Sequence, residues 1–506
     1  GVLTPTNINI RNVSSYEMET DIDPVDNGSN LIFVSKTPGF TRVYRMITKG
    51  QEHNPQVEDI GRSISEWIPE TIEHIVTSPQ NAFIGLYGTN KRDIYFFRTH
   101  IEGDNYAMQA WFNWELPGKV QFVVVDSDIM YAVTTQGGEY VISAASINQT
   151  PEETILINAD GQKMNPCLDL YSRLDATKVC YYAVDKLTIS VGGSGYTGTP
   201  TISINATQPN EGTGATATCT QSGGVINSVT ITAVGKNYFQ GADVVVGVPW
   251  VIDTTYAVGN QVVNGGKVYT CSVAGTSDDE GTGPSGDTSG IVDGSGTLRW
   301  NYAGVQATVD AEIYQGTKCY IPFKHDTALT PILVVGSADD EYEGTKVFTE
   351  SGYTTNPVGN LSDDTGNYFG ITGKDLTTVA DKVIVGWSYA LDVHLPRTYF
   401  RGQAGADTSA IVIINRYKFS MGLSGVCQFK LSPKGVGDWT NTATIIDAEQ
   451  YLANDVPLAN QSIVTVPIHQ RNSNFSMRVF SESPFPVSLT SMMWEGQYSP
   501  RYYRRA

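Results

Sequence analysis

Short runs of β-forming residues recur about every ten residues along this chain, while apolar residues almost nowhere repeat at the 3.6-residue spacing of a helix. Ile72 to Val76, Ala82 to Tyr87, Asp93 to Arg98, Ala107 to Trp114, Lys119 to Val125, Ile129 to Thr134 and Glu139 to Ala144 are such runs. Ser-Pro-Gln-Asn, Thr-Asn-Lys-Arg, Pro-Gly, Asp-Ser-Asp and Gln-Gly-Gly separate them, and these residues favour turns. The stretch most helical in pattern is Ile60 to Ile72, broken by Pro69. A chain punctuated this way is all-β. Its rhythm fits a meander of four-stranded sheets, as in the blades of a β-propeller, and a β-sandwich would give much the same pattern. The expectation is a β-propeller-like host domain.

Length and charge narrow the function classes. At 506 residues the chain is long enough for about three domains and a substantial core without disulfides. Lys plus Arg is 33 against 52 for Asp plus Glu, a net charge of −19, so nothing draws the whole molecule toward phosphate backbones or anionic lipid. Charged residues make up 17% and hydrophobic ones 40%, with 27 tyrosines, which is too apolar and aromatic for disorder. The six cysteines are scattered, with no CxxC pair, and read as reduced, mostly buried thiols. No apolar stretch is long enough for a membrane anchor, and residues 1–13 do not have the pattern of a secretion signal. The chain starts at Gly1 rather than Met, so further sequence is expected ahead of it.

Two inserts interrupt the β-rich text. From Asp185 the composition turns to Gly, Thr and Ser, and a repeat appears at a spacing of 42 residues. Leu187 to Ser190 returns as Val229 to Thr232, Gly193 as Gly235, Tyr196 as Tyr238, and Ile202 with Ile204 as Val244 with Val246. This is a β-module of its own, a spacer or a ligand surface. The segment from Pro249 to Gly304 carries Trp250, Tyr256, Tyr269, Trp300 and Tyr302, and their order resembles the small carbohydrate-binding modules attached to chitinases. Such rings stack on sugars or fibre surfaces, or else form the core of a module too small for any other. The domain reading is 1–184 as the first part of the propeller-like host, 185–248 and 249–304 as inserted β-modules, and 305–506 as a return to the host with a C-terminal antiparallel region.

Chemistry has little to stand on. The six histidines never fall at metal spacing, and no nucleophile elbow, phosphate loop or HExxH occurs. No catalytic residue, metal or cofactor is therefore assigned. Asp339-Asp340-Glu341 and Asp278-Asp279-Glu280 read as solvated acidic loops, the latter without the ligand spacing of a Ca²⁺ loop. Arg501, Tyr502, Tyr503, Arg504 and Arg505 form a basic, aromatic end suited to a solvated tail or to an interface with an acidic partner.

Several pieces taken together resemble the tail nozzle proteins, also called tail tubular protein B, of short-tailed podoviruses. They are Gln109-Ala110-Trp111 with Trp114, Leu116 to Val120, Asp126, Tyr131-Ala132-Val133, Val385 to Tyr389 leading to His394-Leu395-Pro396-Arg397, and Phe485-Pro486-Val487 with Trp494-Glu495-Gly496-Gln497-Tyr498. That family is not known for inserts like 185–304. The resemblance implies a structural virion protein, assembled in the host cytoplasm, with six copies in a ring below the adaptor (tail tubular protein A). Such a ring forms the distal conduit for double-stranded genomic DNA, without sequence-specific binding, and helps to hold tail fibres. A glycan-degrading depolymerase or a glycan-binding adhesin that contacts host surface glycan is the alternative. Low basicity suits a conduit, since a cationic lumen would bind phosphate. Asp339, Asp340 and Glu341 are expected near the channel, and Arg501, Arg504 and Arg505 at a protein interface.

Overall fold

The computed structural model describes residues 15–28, 30–47, 56–64, 66–78, 83–102, 105–127, 129–136, 138–147, 167–293, 296–323, 325–326, 331–335, 346–348, 368–402, 405–407, 409–422, 424, 426–435, 437–443, 462–484 and 487–500. Their regular structure is nearly all β-strand, in many small antiparallel sheets. Among the described residues no set of sheets closes into a ring of blades. The chain divides into two compact units, residues 1–154 with 324–329 and residues 155–323 with 330–506.

The first unit is three successive meanders. β1 (Val25–Asp26), β2 (Asn30–Thr37), β3 (Phe40–Ile47) and β4 (Gln56–Asp59) form one; β5 (His74–Ser78), β6 (Phe83–Tyr87), β7 (Asp93–Glu102) and β8 (Asn105–Glu115) the next; β9 (Lys119–Asp126), β10 (Ile129–Gln136) and β11 (Glu139–Ser146) the last. Each strand pairs with its chain neighbour, so backbone groups are satisfied locally. Alternate residues then turn inward. Ile32, Val34, Val43, Ile84, Leu86 and Phe97 make one core, and Phe83, Phe96, Val120, Val123, Met130 and Ala132 another. The expected helix at 60–72 is a correction. Ile60, Ile64, Ile68 and Ile72 do recur every fourth residue, but the segment is irregular except for one 3₁₀ turn at Arg62–Ile64. Ile60, Ile68 and Ile72 are buried because this connection lies over the first core, where the Ile60 carbonyl accepts from the Trp111 indole at 2.9 Å.

In the second unit, β12 (Asp169–Arg173), β30 (Val383–Trp387), β27 (Pro331–Val335) and β28 (Lys346–Phe348) lie side by side in that order, and β13 (Val179–Tyr181), β26 (Gly316–Tyr320) and β29 (Tyr368–Thr372) form a second sheet. The C-terminal region is two facing sheets. One is β31 (Leu391–Leu395), β38 (Phe475–Ser481), β35 (Cys427–Pro433) and β36 (Trp439–Ala443). The other is β37 (Ser462–Arg471), β34 (Ile411–Met421) and β39 (Leu489–Ser499), with the short hairpin β32 (Arg401–Gly402) and β33 (Gly405–Ala406) before it. Val412, Ile414, Phe419, Phe429, Val466 and Val479 fill the space between them.

The 42-residue repeat is a structural repeat. β14 (Val184–Val191) and β15 (Ile202–Ala206) form its first copy, β17 (Val225–Lys236) and β18 (Ala242–Val246) its second. β14 pairs with β25 (Thr308–Ile313), and β17 pairs in the same way with β16 (Thr213–Ser222). β15 and β18 pair with each other so that Ser203 faces its own counterpart Val245, a local two-fold. At equivalent points Gly193 (φ +67°) and Gly235 (φ +64°) pass so close to the partner strand that an added Cβ would stand 2.5 Å from the amide nitrogens of Ala307 and Ala215. The next Tyr in each copy secures that approach. Tyr196 Oη accepts from the Ala307 N–H at 2.9 Å, and Tyr238 Oη from the Ala215 N–H at 3.3 Å. The first module is thus completed by β25, which follows the second insert, so residues 249–304 are nested within it. Val263 and Val268 of the nested module join the core of the first, and Gln261 Nε2 donates to the Gly195 carbonyl at 2.8 Å.

Tyr196→Phe and Tyr238→Phe each leave a buried amide without its acceptor. Each should lower stability by about 1–3 kcal/mol in denaturant titrations of the full chain, with Tyr196→Phe the costlier because its bond is shorter.

Candidate functional site

The aromatic module is built on two sheets, β20 (Gln261–Asn264), β21 (Lys267–Val273), β24 (Arg299–Val305) and β23 (Ile291–Val292) in one, β19 (Thr255–Tyr256) and β22 (Gly275–Thr276) in the other. Strands this short give little core, and large rings fill it. Trp300, Tyr269 and Tyr256 are buried together with Val262, Cys271 and Leu298, and Tyr256 meets Trp300 edge-on with centroids 5.0 Å apart. Their faces are spent on the module's own packing. Trp250 and Tyr302 are half-buried at the rim.

One carboxylate ties the rings together. Asp293, 3% exposed, accepts at Oδ2 from the indole N–H groups of both Trp250 and Trp300, each at 2.8 Å. Two donors on one oxygen hold the two indoles in fixed relation and supply what a buried carboxylate needs. The loop from Asp278 to Asp293 covers this cluster. Tyr269 Oη donates to the Gly286 carbonyl at 3.0 Å, Asn264 Nδ2 to the Thr282 carbonyl at 2.7 Å, and Lys267 pairs with Asp287 at 2.5 Å. Gly283 (φ +78°) lies on the Trp250 ring, where an added Cβ would stand 2.8 Å from Cδ2. One face of Trp250 is therefore occupied, and Tyr302 packs against Tyr269 with the Lys267 ammonium 5.9 Å from its ring.

Among the described residues no three His, Cys, Asp or Glu side chains converge to hold a metal. All six cysteines are free, and burial pushes their thiols up, Cys427 to about 11. Asp339, Asp340 and Glu341 lie outside the described residues, as do Arg501, Tyr502, Tyr503, Arg504 and Arg505. Other motif residues prove to be anchors of the sheets. Trp387 Nε1 donates to the Phe323 carbonyl at 2.9 Å. On β39, Glu495 bonds Arg416 at 2.6 Å as well as Lys418, and the Lys418 ammonium holds its carboxyl below the usual range. Tyr498 Oη donates to Asp407 at 2.9 Å, and Gly496 passes where an added Cβ would strike the Ile413 carbonyl.

The family model for bacteriophage nozzle proteins matches residues 1–268 and 298–505. The chain belongs to the bacteriophage nozzle protein family. It is a phage tail structural protein, a component of the virion tail. The match runs through the whole 42-residue repeat, so that module lies within the family pattern, against the expectation that 185–304 departs from it. Residues 269–297, which carry the Asp-rich loop, are the internal stretch left unmatched. No curated protein matches the chain. Two solved structures of an exo-beta-1,3-galactanase from Phanerochaete chrysosporium align with it, one of a mutant with beta-1,3-galactotriose at 9% identity and one with galactose at 7%. Each covers 93% of this chain and 95% of the other, with TM-scores of 0.15 and 0.16, and at that level the likeness carries no argument.

Asp293→Ala strips the acceptor from two indoles, one of them fully buried, and should cost about 1–3 kcal/mol. Asp293→Asn keeps an acceptor oxygen and should cost less. Near-ultraviolet dichroism of the full chain, which reports fixed indoles, should fall in the first variant and largely persist in the second.

Proposed function

We propose that this chain is the tail nozzle of a short-tailed podovirus, six copies of which form a ring below the adaptor. The ring is the distal conduit for the double-stranded genome and a docking point for tail fibres. The observation that carries the reading is the nozzle-family match over nearly the whole chain. Three consecutive antiparallel meanders in the first unit, two of four strands and one of three among the described residues, support successive blades of a propeller-like domain, since such blades are four-stranded meanders met one after another along the chain. A net charge of −19 supports a conduit through which DNA slides, because each lumen cation would add salt-dependent attraction to a duplex carrying roughly one charge per 1.7 Å. The C-terminal Arg501, Tyr502, Tyr503, Arg504 and Arg505 then serve as an interface. Contact with host glycan or fibre through the aromatic module rests on Trp250 and Tyr302, the two rings that are not fully buried.

Electron microscopy of the purified chain mixed with its adaptor should show six-fold rings, and the protein should release no reducing ends from host polysaccharide. Monomers alone under virion-like ionic conditions would count against the reading. Replacing Asp339, Asp340 and Glu341 by Lys should slow genome ejection at low salt, and added salt should restore it through screening. Unaltered ejection kinetics would remove these acids from the channel.

A further inference from the structure

The last meander of the first unit has one buried face and one open face, and the open one is apolar. Val120, Val123, Met130 and Ala132 point into the core. The opposite side carries Phe122 (58% exposed), Val124, Ile129, Tyr131, Tyr140 (74%) and Ile142 (76%). These are not scattered. Phe122 pairs with Val133 and Val133 with Ile142, while Val124 pairs with Tyr131 and Tyr131 with Ala144, so two apolar rows cross all three strands. Charged side chains on this face stand at its two ends, Lys119 beside Thr135 and Asp126 beside Ile129. Among the described residues β11 pairs with β10 alone and forms the sheet's edge.

We infer that this open face is the surface on which a second copy of the chain docks in the ring, an inference that rests on the ring reading above. Two observations select that occupant. At about 150–250 Å² per aromatic side chain and somewhat less per aliphatic one, the three aromatic and three aliphatic residues leave roughly 600 Å² in the open, the upper end for a monomer's largest patch. That is most of the ~800 Å² per partner of a standard interface. Charge is the second. Copies that each carry −19 repel one another, and they can meet closely only across a surface with few charges of its own, whereas a basic partner would call for acids here. A ring also needs a heterologous contact, in which this face meets a different surface on the neighbour.

The full chain, alone and with adaptor, is compared with the double variant Tyr140→Lys, Ile142→Lys by sedimentation velocity. Both positions are open to solvent, so unchanged far-ultraviolet dichroism and melting are expected while the assembled species is lost to monomer. Ile463→Lys, at an exposed site in the second unit, should assemble like the parent chain. A second readout avoids charge: in a Cys167→Ser background, where the remaining native thiols are buried, an Ile142→Cys thiol should react rapidly in dilute monomer and be protected in the assembly. If the parent assembles and the double variant assembles equally, with the new thiol reactive throughout, this face is not the interface and the ring stands. If the parent stays monomeric in every condition, the ring reading fails and the docking assignment fails with it.

Discussion

Antiparallel pairing, between chain neighbours in the first unit and between distant strands in much of the second, satisfies the backbone within many small sheets and leaves each of them with a face that must be covered by something else. The whole architecture follows from how those covers are found. In the first unit one meander lies against the next, with Phe83 and Phe96 of one sheet packed on Val123 and Met130 of another. In the C-terminal region two sheets cover each other. In the repeat module the second strands of the two copies, β15 and β18, pair with each other, while the first strands lie so close to β25 and β16 that glycine is required at Gly193 and Gly235.

Where apolar area is scarce, single polar groups set the geometry. A Tyr hydroxyl closes each half of the repeat, and a carboxylate joins two indoles in the nested module. Each arrangement places an acceptor against a donor that would otherwise lie buried without a partner, a loss comparable to that of several methylenes of core. The nozzle-family motif on β39 follows the same logic at the surface. Glu495 gathers Arg416 and Lys418, Tyr498 reaches Asp407, and Gly496 lets the strand approach β34.

Much of this was legible in the sequence, because alternation and turn residues act over a few positions. The runs at Asp93, Lys119, Ile129 and Glu139 begin strands at those same residues, and the repeat at 187 and 229 has matching geometry. The hairpin of β2 and β3 went unread, although Thr37-Pro38-Gly39-Phe40 marks its turn, and the fourfold spacing of Ile60 to Ile72 imitated a helix. The site was less legible. The aromatic order of the nested module is the same whether rings face solvent or core, and only the position of Asp293 between Trp250 and Trp300 separates the two. Long-range pairing was hidden as well, since nothing local says that β14 seeks a strand 120 residues away in β25.

That last pairing has a mechanical side. The chain leaves the host along β13 and returns along β26, and these two strands are hydrogen-bonded neighbours, Cys180 opposite Lys318, with the buried Lys318 ammonium held by Asp185 at the point of departure. The ends of the whole 184–313 excursion therefore lie side by side. Tension along the host polypeptide crosses the short β13–β26 ladder and does not run through the modules, which hang from that junction as a side branch. Their length can change without changing the distance between the strands that bear the load.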